Sequence, residues 1–347
     1  MSKFFLLCFA LSGILHMLFI FFSLTYKWSD VVLVSPVAVK PNLSESQEIE
    51  GAKNKTSSLP RLKLVVAILS APKRMDRRTS IRLTWMNDCR RKDVLCRFFT
   101  DQLTSIEPQV KTAIVQENLT HGDIEFMPIA GGMNFGLRML WLMEWSVRNY
   151  EFDFFLRIDD DYFLCLKKLL AEIPRRVHIP RLYWGYVHCV AEGQVRVDEG
   201  FLILSSDLVK EFVSKKDSLL CHPYGDQAVA IWLNNRTDIT RFHDPRVIHD
   251  VTAHNPQFKR ANELCNTYLS LHGSYLHENL IYWDIVKKEK HQVWLPSIQP
   301  FEEVCKFGTH FDWRKMGGYP YEWEPKPCSS NPTWNTGLKM YLGRNQM

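Results

Sequence analysis

The sequence predicts an α/β domain carried behind an N-terminal transmembrane helix. Three observations predict it. An uncharged run of 23 residues, Phe4 to Tyr26, opens the chain. Apolar runs of strand length then alternate with segments of helical spacing. One such strand, "DFFLRI" at 153–158, runs into three consecutive aspartates, Asp159, Asp160 and Asp161.

The opening run, "FFLLCFALSGILHMLFIFFSLTY", would span about 34 Å as a helix, enough to cross a bilayer. A cleaved signal peptide has a shorter apolar region and ends at small residues. Tyr26, Lys27 and Trp28 are not small, so the expectation is an uncleaved signal anchor over 4–26 with a cytosolic tail of 1–3. Lys3 and Lys27 flank the run and nearly cancel under the positive-inside rule, so orientation is read from the rest of the chain.

That rest has lumenal character. Four Asn-x-Ser/Thr sequons begin at Asn42, Asn54, Asn118 and Asn235. Beyond Cys8 there are eight cysteines, an even number that allows up to four disulfides in an oxidising compartment. Buried free thiols are the other reading of some of them. No Cys-x-x-Cys spacing suggests zinc. The expected placement is a single-pass type II protein of the Golgi membrane with its catalytic domain lumenal. A net charge of +5 on 347 residues does not call for a nucleic-acid partner, and it suits an anionic substrate.

Residues 27–60 carry prolines, serines and charges without apolar periodicity, the pattern of a stem. Composition changes at Arg61. "LKLVVAILS" at 62–70 has the length and apolarity of a strand buried on both faces. "APKRMDRRTSIRLTW" continues as a loop and a helix start, and "FMPIA" at 126–130 reads as a second strand. "FGLRMLWLMEWSVRNY" at 135–150 has helical spacing, and "DFFLRI" is the next strand. Residues 61–290 thus form the expected catalytic domain. The remainder, 291–347, is rich in Trp, Pro and Gly, with Cys305 and Cys328. It reads as a disulfide-stapled extension or an acceptor- or partner-binding element.

Ligands of open α/β sheets bind beyond the carboxyl ends of the strands. Three carboxylates there suit a hard divalent cation, Mn²⁺ or Mg²⁺, and through it a phosphorylated substrate. A helix cap or solvated turn would explain one aspartate better than three.

Five blocks in order carry a family resemblance: "RRTSIRLTW" (77–85), "DFFLRIDDDYF" (153–163), "EGFLILSSDLVKEF" (199–212), "GDQAVAIWL" (225–233) and "CNTYLSLHGSYLHENLIYW" (265–283). Together they resemble the β-1,3-galactosyltransferase family, glycosyltransferase family 31, over about residues 61–287. "LYWG" (182–185) and "HDPR" (243–246) are most similar to the branch that builds the glycosaminoglycan linkage region.

The resemblance implies a GT-A fold, one Rossmann-like domain binding a nucleotide sugar and a divalent metal. It implies an inverting, metal-dependent transfer of a hexose, with UDP-galactose the first choice of donor, onto a glycan or glycoprotein acceptor in β1-3 linkage. By position Asp161 matches the direct metal ligand and His272 the second. Asp159 and Asp160 match contacts to ribose and to metal-bound water. Asp226 matches the general base. Arg77 and Arg82 are candidates for donor binding through forked hydrogen bonds. Arg78 reads as part of a solvated basic face, and Trp85 as core.

Two departures stand out. Gly225 and Gln227 replace the Glu and Val that flank the family's aspartate. The stretch between Gly185 and Phe201 is short, with Glu199 where a glycine is expected. These keep two alternatives in view: a weak or inactive relative that binds a sugar nucleotide or a partner, and a β1-3 N-acetylhexosaminyltransferase.

Overall fold

The computed structural model describes residues 59–249, 264–289, 295–318 and 322–334. All lie in one compact unit, Ser57–Met347. The expected membrane span 4–26, all but the end of the stem 27–60, Asn42 and Asn54 fall outside the described residues. Among the described residues no helix is long and apolar enough to cross a membrane.

In chain order the strands are β1 (Arg61–Leu69), β2 (Val94–Thr100), β3 (Ile124–Phe126), β4 (Glu151–Asp159), β5 (Tyr162–Leu164), β6 (Leu182–Cys189), β7 (Val195–Ser205), β8 (Leu220–Cys221), β9 (Thr240–His243), β10 (Val247–Ile248), β11 (Ser270–His272) and β12 (Lys326–Pro327). The helices that matter below are α1 (Met75–Leu83), α2 (Pro108–His121), α3 (Phe135–Asn149), α4 (Leu166–Arg176), α5 (Ser206–Ser214) and α6 (Gly225–Trp232).

Seven strands form the main sheet in the order β3-β2-β1-β4-β7-β6-β9. β3, β2, β1 and β4 run parallel, β7 is antiparallel to both β4 and β6, and β6 is parallel to β9. β1 and β4 are central, so both faces need cover, which explains their near-continuous apolar runs. Leu64, Val66 and Ile68 point into one core with Ile81 of α1 and Leu169 of α4. Val65, Ala67 and Leu69 point into the other with Met139 of α3 and Leu208 of α5. Trp85 is fully buried, and its indole N–H donates to the Tyr162 carbonyl at 3.2 Å.

The strands expected at 62–70 and 153–158 are β1 and β4, and the helix expected at 135–150 is α3. The strand expected at 126–130 is instead β3, Ile124–Phe126. Pro128 has no N–H to give a ladder, and pairing ends with Met127 N–H donating to the Thr100 carbonyl at 2.9 Å.

All eight cysteines beyond Cys8 are paired: Cys89–Cys96, Cys165–Cys265, Cys189–Cys305 and Cys221–Cys328. The last two tie the C-terminal extension to β6 and β8. A three-stranded sheet, β10-β11-β5, lies beyond the end of β4. There Cys165 and Cys265 bracket the antiparallel β5–β11 pair.

Candidate active site

The chain leaves β1 toward one sheet edge through β2 and β3, then returns to place β4 on the other side of β1. At such a reversal the loops beyond the two strands part and leave a crevice. The loop after β1 leads into α1 and Arg77. The end of β4 carries the aspartates. Arg77 Nη1 donates to Asp160 Oδ1 at 2.7 Å and to Asp161 Oδ2 at 3.2 Å, and its guanidinium lies 4.9 Å from the Tyr275 ring centre.

Three carboxyl groups so close repel one another, and burial adds to the cost of their charge. Burial, with the charges of Asp161 and Asp160, pushes Asp159 up to about 6 although Arg157 opposes it. Burial likewise raises Asp160 against the pull of Arg77. Asp161 moves the other way: burial is outweighed by His272 and Arg77.

His272 reaches this place by register. β11 runs antiparallel to β5 and sets His272 opposite Tyr162, the residue after Asp161. Its ring stacks on that of Tyr162 at 4.7 Å. Its Nδ1 donates to the His249 carbonyl at 2.6 Å, which leaves Nε2 facing Asp161 Oδ2 at 3.7 Å. An imidazole oriented through its other nitrogen is the usual arrangement of a metal-ligating histidine. Burial disfavours its charge, but the bond to Asp161 pushes its pKa up to about 9.

A divalent ion fits these residues. Asp161 Oδ1 is buried and has no hydrogen-bond partner, a strong acceptor left open beside an oriented imidazole. Carboxylate oxygen with one imidazole nitrogen suits Mn²⁺ or Mg²⁺.

Asp226 lies in the first turn of α6, where a carboxylate is favoured by the helix N-terminus. Its Oδ2 accepts from Arg196 Nε at 2.7 Å, and its Oδ1 from Gln227 N–H at 2.7 Å. A chain of contacts joins it to the aspartates. Arg157 of β4, only 2% exposed, pairs with Asp159 at 2.9 Å and donates to the backbone carbonyl of Glu199 on β7. Glu199 Oε2 in turn accepts the Gly225 N–H at 2.9 Å, next to Asp226. Burial holds the Glu199 carboxyl well above the usual carboxylate range, with Arg157 opposing and Asp226 adding to the rise.

Arg77, Asp159, Asp160, Asp161 and His272 therefore share one rim, and Asp226 joins it through Arg157 and Glu199. Arg82 is directed elsewhere. Asp123 binds it at Nε and Nη2, both at 2.8 Å, and Glu117 at Nη1 at 2.7 Å. The solvated-face reading of Arg78 is corrected: it is fully buried, paired to Glu117 at 2.7 Å, and it also donates to Ser70 and the Ala71 carbonyl. Glu117, which ties down both arginines, lies on α2.

Arg157 and Arg196 are functional candidates that the sequence reading did not single out. Arg157 had a signal, a lone cation inside an apolar strand. Arg196 had none. Of the described sequons, Asn235 is exposed, in a left-handed turn at φ 59°. Asn118 is half-buried within α2, and its Oδ1 accepts the Ile124 N–H at 3.0 Å.

Residues 76–202 match the family model described as Galactosyltransferase. The mouse protein named Beta-1,3-galactosyltransferase 6 is 31% identical over 219 residues, 54% of this chain and 65% of its own length. The Danio rerio protein named UDP-GalNAc:beta-1,3-N-acetylgalactosaminyltransferase 2 is 28% identical over 140 residues, 35% of this chain and 28% of its own length. The chain thus matches just under two thirds of the first relative and under a third of the second. Among solved structures, the Pyrobaculum calidifontis mannosyltransferase PcManGT, in complex with GDP-Man and Mn²⁺, aligns over 68% of each chain at 12% identity and a TM-score of 0.36.

Proposed function

From a chain that carries a galactosyltransferase-family domain over residues 76–202, we propose an inverting glycosyltransferase of GT-A type. It moves a hexose from a UDP-sugar, UDP-galactose first, onto a glycan or glycoprotein acceptor in β1-3 linkage. The observation that carries this is the single rim. It joins a cation-ready cluster (Asp159–Asp161, Arg77, His272) to a second carboxylate, Asp226, through Arg157 and Glu199.

Asp161 and His272 would hold a Mn²⁺ or Mg²⁺ ion. When bound, such an ion neutralises charge that builds on a leaving diphosphate. Arg77 holds Asp160 and Asp161 in place and would face the donor phosphates from the same rim. Asp226 takes the proton from the acceptor hydroxyl as that oxygen attacks the anomeric carbon from the face opposite the leaving group. Arg196 orients Asp226 by donating from Nε to Oδ2 at 2.7 Å. The sequons and four disulfides suit a lumenal catalytic domain, and we place the protein in the Golgi membrane as a type II anchor.

A second reading draws on the same Arg196. Both oxygens of Asp226 are already engaged, Oδ2 by Arg196 and Oδ1 by the Gln227 N–H, which suits a relative that binds the sugar nucleotide without turnover. Full-length protein with Mn²⁺ and UDP-galactose, UDP-N-acetylglucosamine or UDP-N-acetylgalactosamine decides. UDP release that is lost in Asp161→Ala supports the enzyme. Donor binding without release supports the second reading. No binding of any of the three donors would refute both.

A further inference from the structure

His188, Asp198 and His249 come from three separate elements and converge on one point. His188 is on β6 and Asp198 on β7. The register sets His188 opposite Arg196, so Asp198 is its neighbour two residues along the same face. His249 follows β10, on the adjoining small sheet. One ligand atom from each lies within 4.8 Å of the others.

The two imidazoles meet the same carboxylate oxygen. His188 Nε2 is 2.8 Å from Asp198 Oδ2, and His249 Nδ1 is 3.2 Å from it. Metal bonds of about 2.1 Å in tetrahedral geometry place neighbouring ligand atoms about 3.4 Å apart, within a few tenths of an ångström of the His249 approach. Asp198 Oδ1 is satisfied separately, by the Gly200 N–H at 2.8 Å. The carboxylate is thereby fixed with Oδ2 aimed at the histidines, as supporting bonds fix metal ligands.

A hydrogen-bonded His–Asp–His cluster accounts for His188 better than for His249. Despite its 3.2 Å approach, His249 Nδ1 is buried and lacks the alignment of a hydrogen bond. An ion between the three would satisfy it. The Tyr186 ring stacks on that of His249 at 5.4 Å and meets that of His188 edge-on at 5.3 Å, fixing both. The three side chains keep 16%, 13% and 29% of their surface, so an ion has a way in.

We propose that His188, Asp198 and His249 bind a divalent transition ion of the zinc or cobalt class, at a second centre beside Asp161 and His272. Two imidazoles and one carboxylate favour such ions over Mg²⁺. The two centres share His249, whose carbonyl accepts the His272 Nδ1 proton and whose ring stacks on that of His272 at 5.7 Å. An ion that anchors the His249 ring therefore also steadies the backbone that aims His272.

The test uses full-length protein and Co²⁺ alone, with no nucleotide, so it is independent of donor chemistry. Asp161→Ala removes the neighbouring carboxylate ligand. This variant should still bind one equivalent of Co²⁺, with visible absorption bands and a raised melting temperature. Zn²⁺ should displace the Co²⁺, and Mg²⁺ should not. Adding His188→Gln, or separately His249→Gln, should weaken binding by about 100-fold or more with circular dichroism unchanged. No Co²⁺ uptake by the Asp161→Ala chain would overturn the proposal before any ligand variant is needed. Uptake insensitive to both histidine substitutions would overturn it as well.

Discussion

The carboxylate of Glu199 occupies the space that a side chain at Gly225 would need. A Cβ built at Gly225 would stand 2.3 Å from Glu199 Oε2, the same oxygen that accepts the Gly225 N–H. Two of the replacements that the family resemblance implies, Gly225 and Glu199, therefore meet in space, and an acidic group stands beside position 225 although it comes from 199.

Gly225→Ala alone is expected to cost roughly 1–3 kcal/mol, the usual penalty of overpacking. The reciprocal pair Glu199→Gly with Gly225→Glu should recover much of what each single change loses. Urea unfolding of the four proteins gives the coupling. Simple additivity would show that the positions do not share a space.

Asp226→Asn keeps the shape of the side chain but cannot take a proton at neutral pH. Turnover should fall by roughly 10²–10⁴ while donor and Mn²⁺ affinity stay within a few-fold, since the proton moves only in the transition state. Near-normal turnover with intact binding would remove Asp226 as the base.

Lys168 gives a pH dependence. Burial, with the charge of Arg246, pulls its pKa down to about 8, while its Nζ donates to the Asn266 carbonyl at 2.7 Å. An unfolded chain holds that proton to about pH 10.4. Between these values the unfolded state binds more protons, so this residue makes stability rise with pH. Lys168→Met lacks the term. Its melting temperature relative to wild type should therefore be highest near pH 7 and fall steadily from pH 8 to 10. A constant difference would disprove the assignment.

The two described sequons should behave differently in a secreting cell. Asn235 is exposed in a turn, whereas Asn118 is half-buried in α2 with its amide oxygen engaged. Glycosidase treatment should shift the mass of wild type and of Asn118→Gln equally, and Asn235→Gln should reduce the shift. A loss on mutating Asn118 would show that glycosylation precedes the closing of α2.

The central strands were legible because burial on both faces forces an unbroken apolar run, and the aspartates because such a run seldom meets three charges. Arg78 misled for the opposite reason. Its place on α1 reads as a solvated face, and only Glu117 on α2 explains why it turns inward. β2, Val94–Thr100, went unread because in "VLCRFFT" the polar Arg97 sits at the centre and divides the apolar residues into two pieces. The meeting of Glu199 with Gly225, and of His188 with Asp198 and His249, depends on β7 lying between β4 and β6. No local pattern encodes that order.

The bridges Cys189–Cys305 and Cys221–Cys328 span 116 and 107 residues, and Cys221 lies shortly before Asp226. β12 lies along β8, and the Trp323 ring meets that of Tyr224, two residues from Asp226. A ribosome delivers the chain from its N-terminus. The sheet and its aspartates can therefore assemble while Cys221 still waits for a partner over a hundred residues downstream. Until residue 328 emerges, the segment leading to Asp226 lacks its fastening and the Cys221 thiol has no Cys328 to pair with. The same two bridges that hold the extension thus make the fastening of the segment before Asp226 wait for the last part of the described chain to be made.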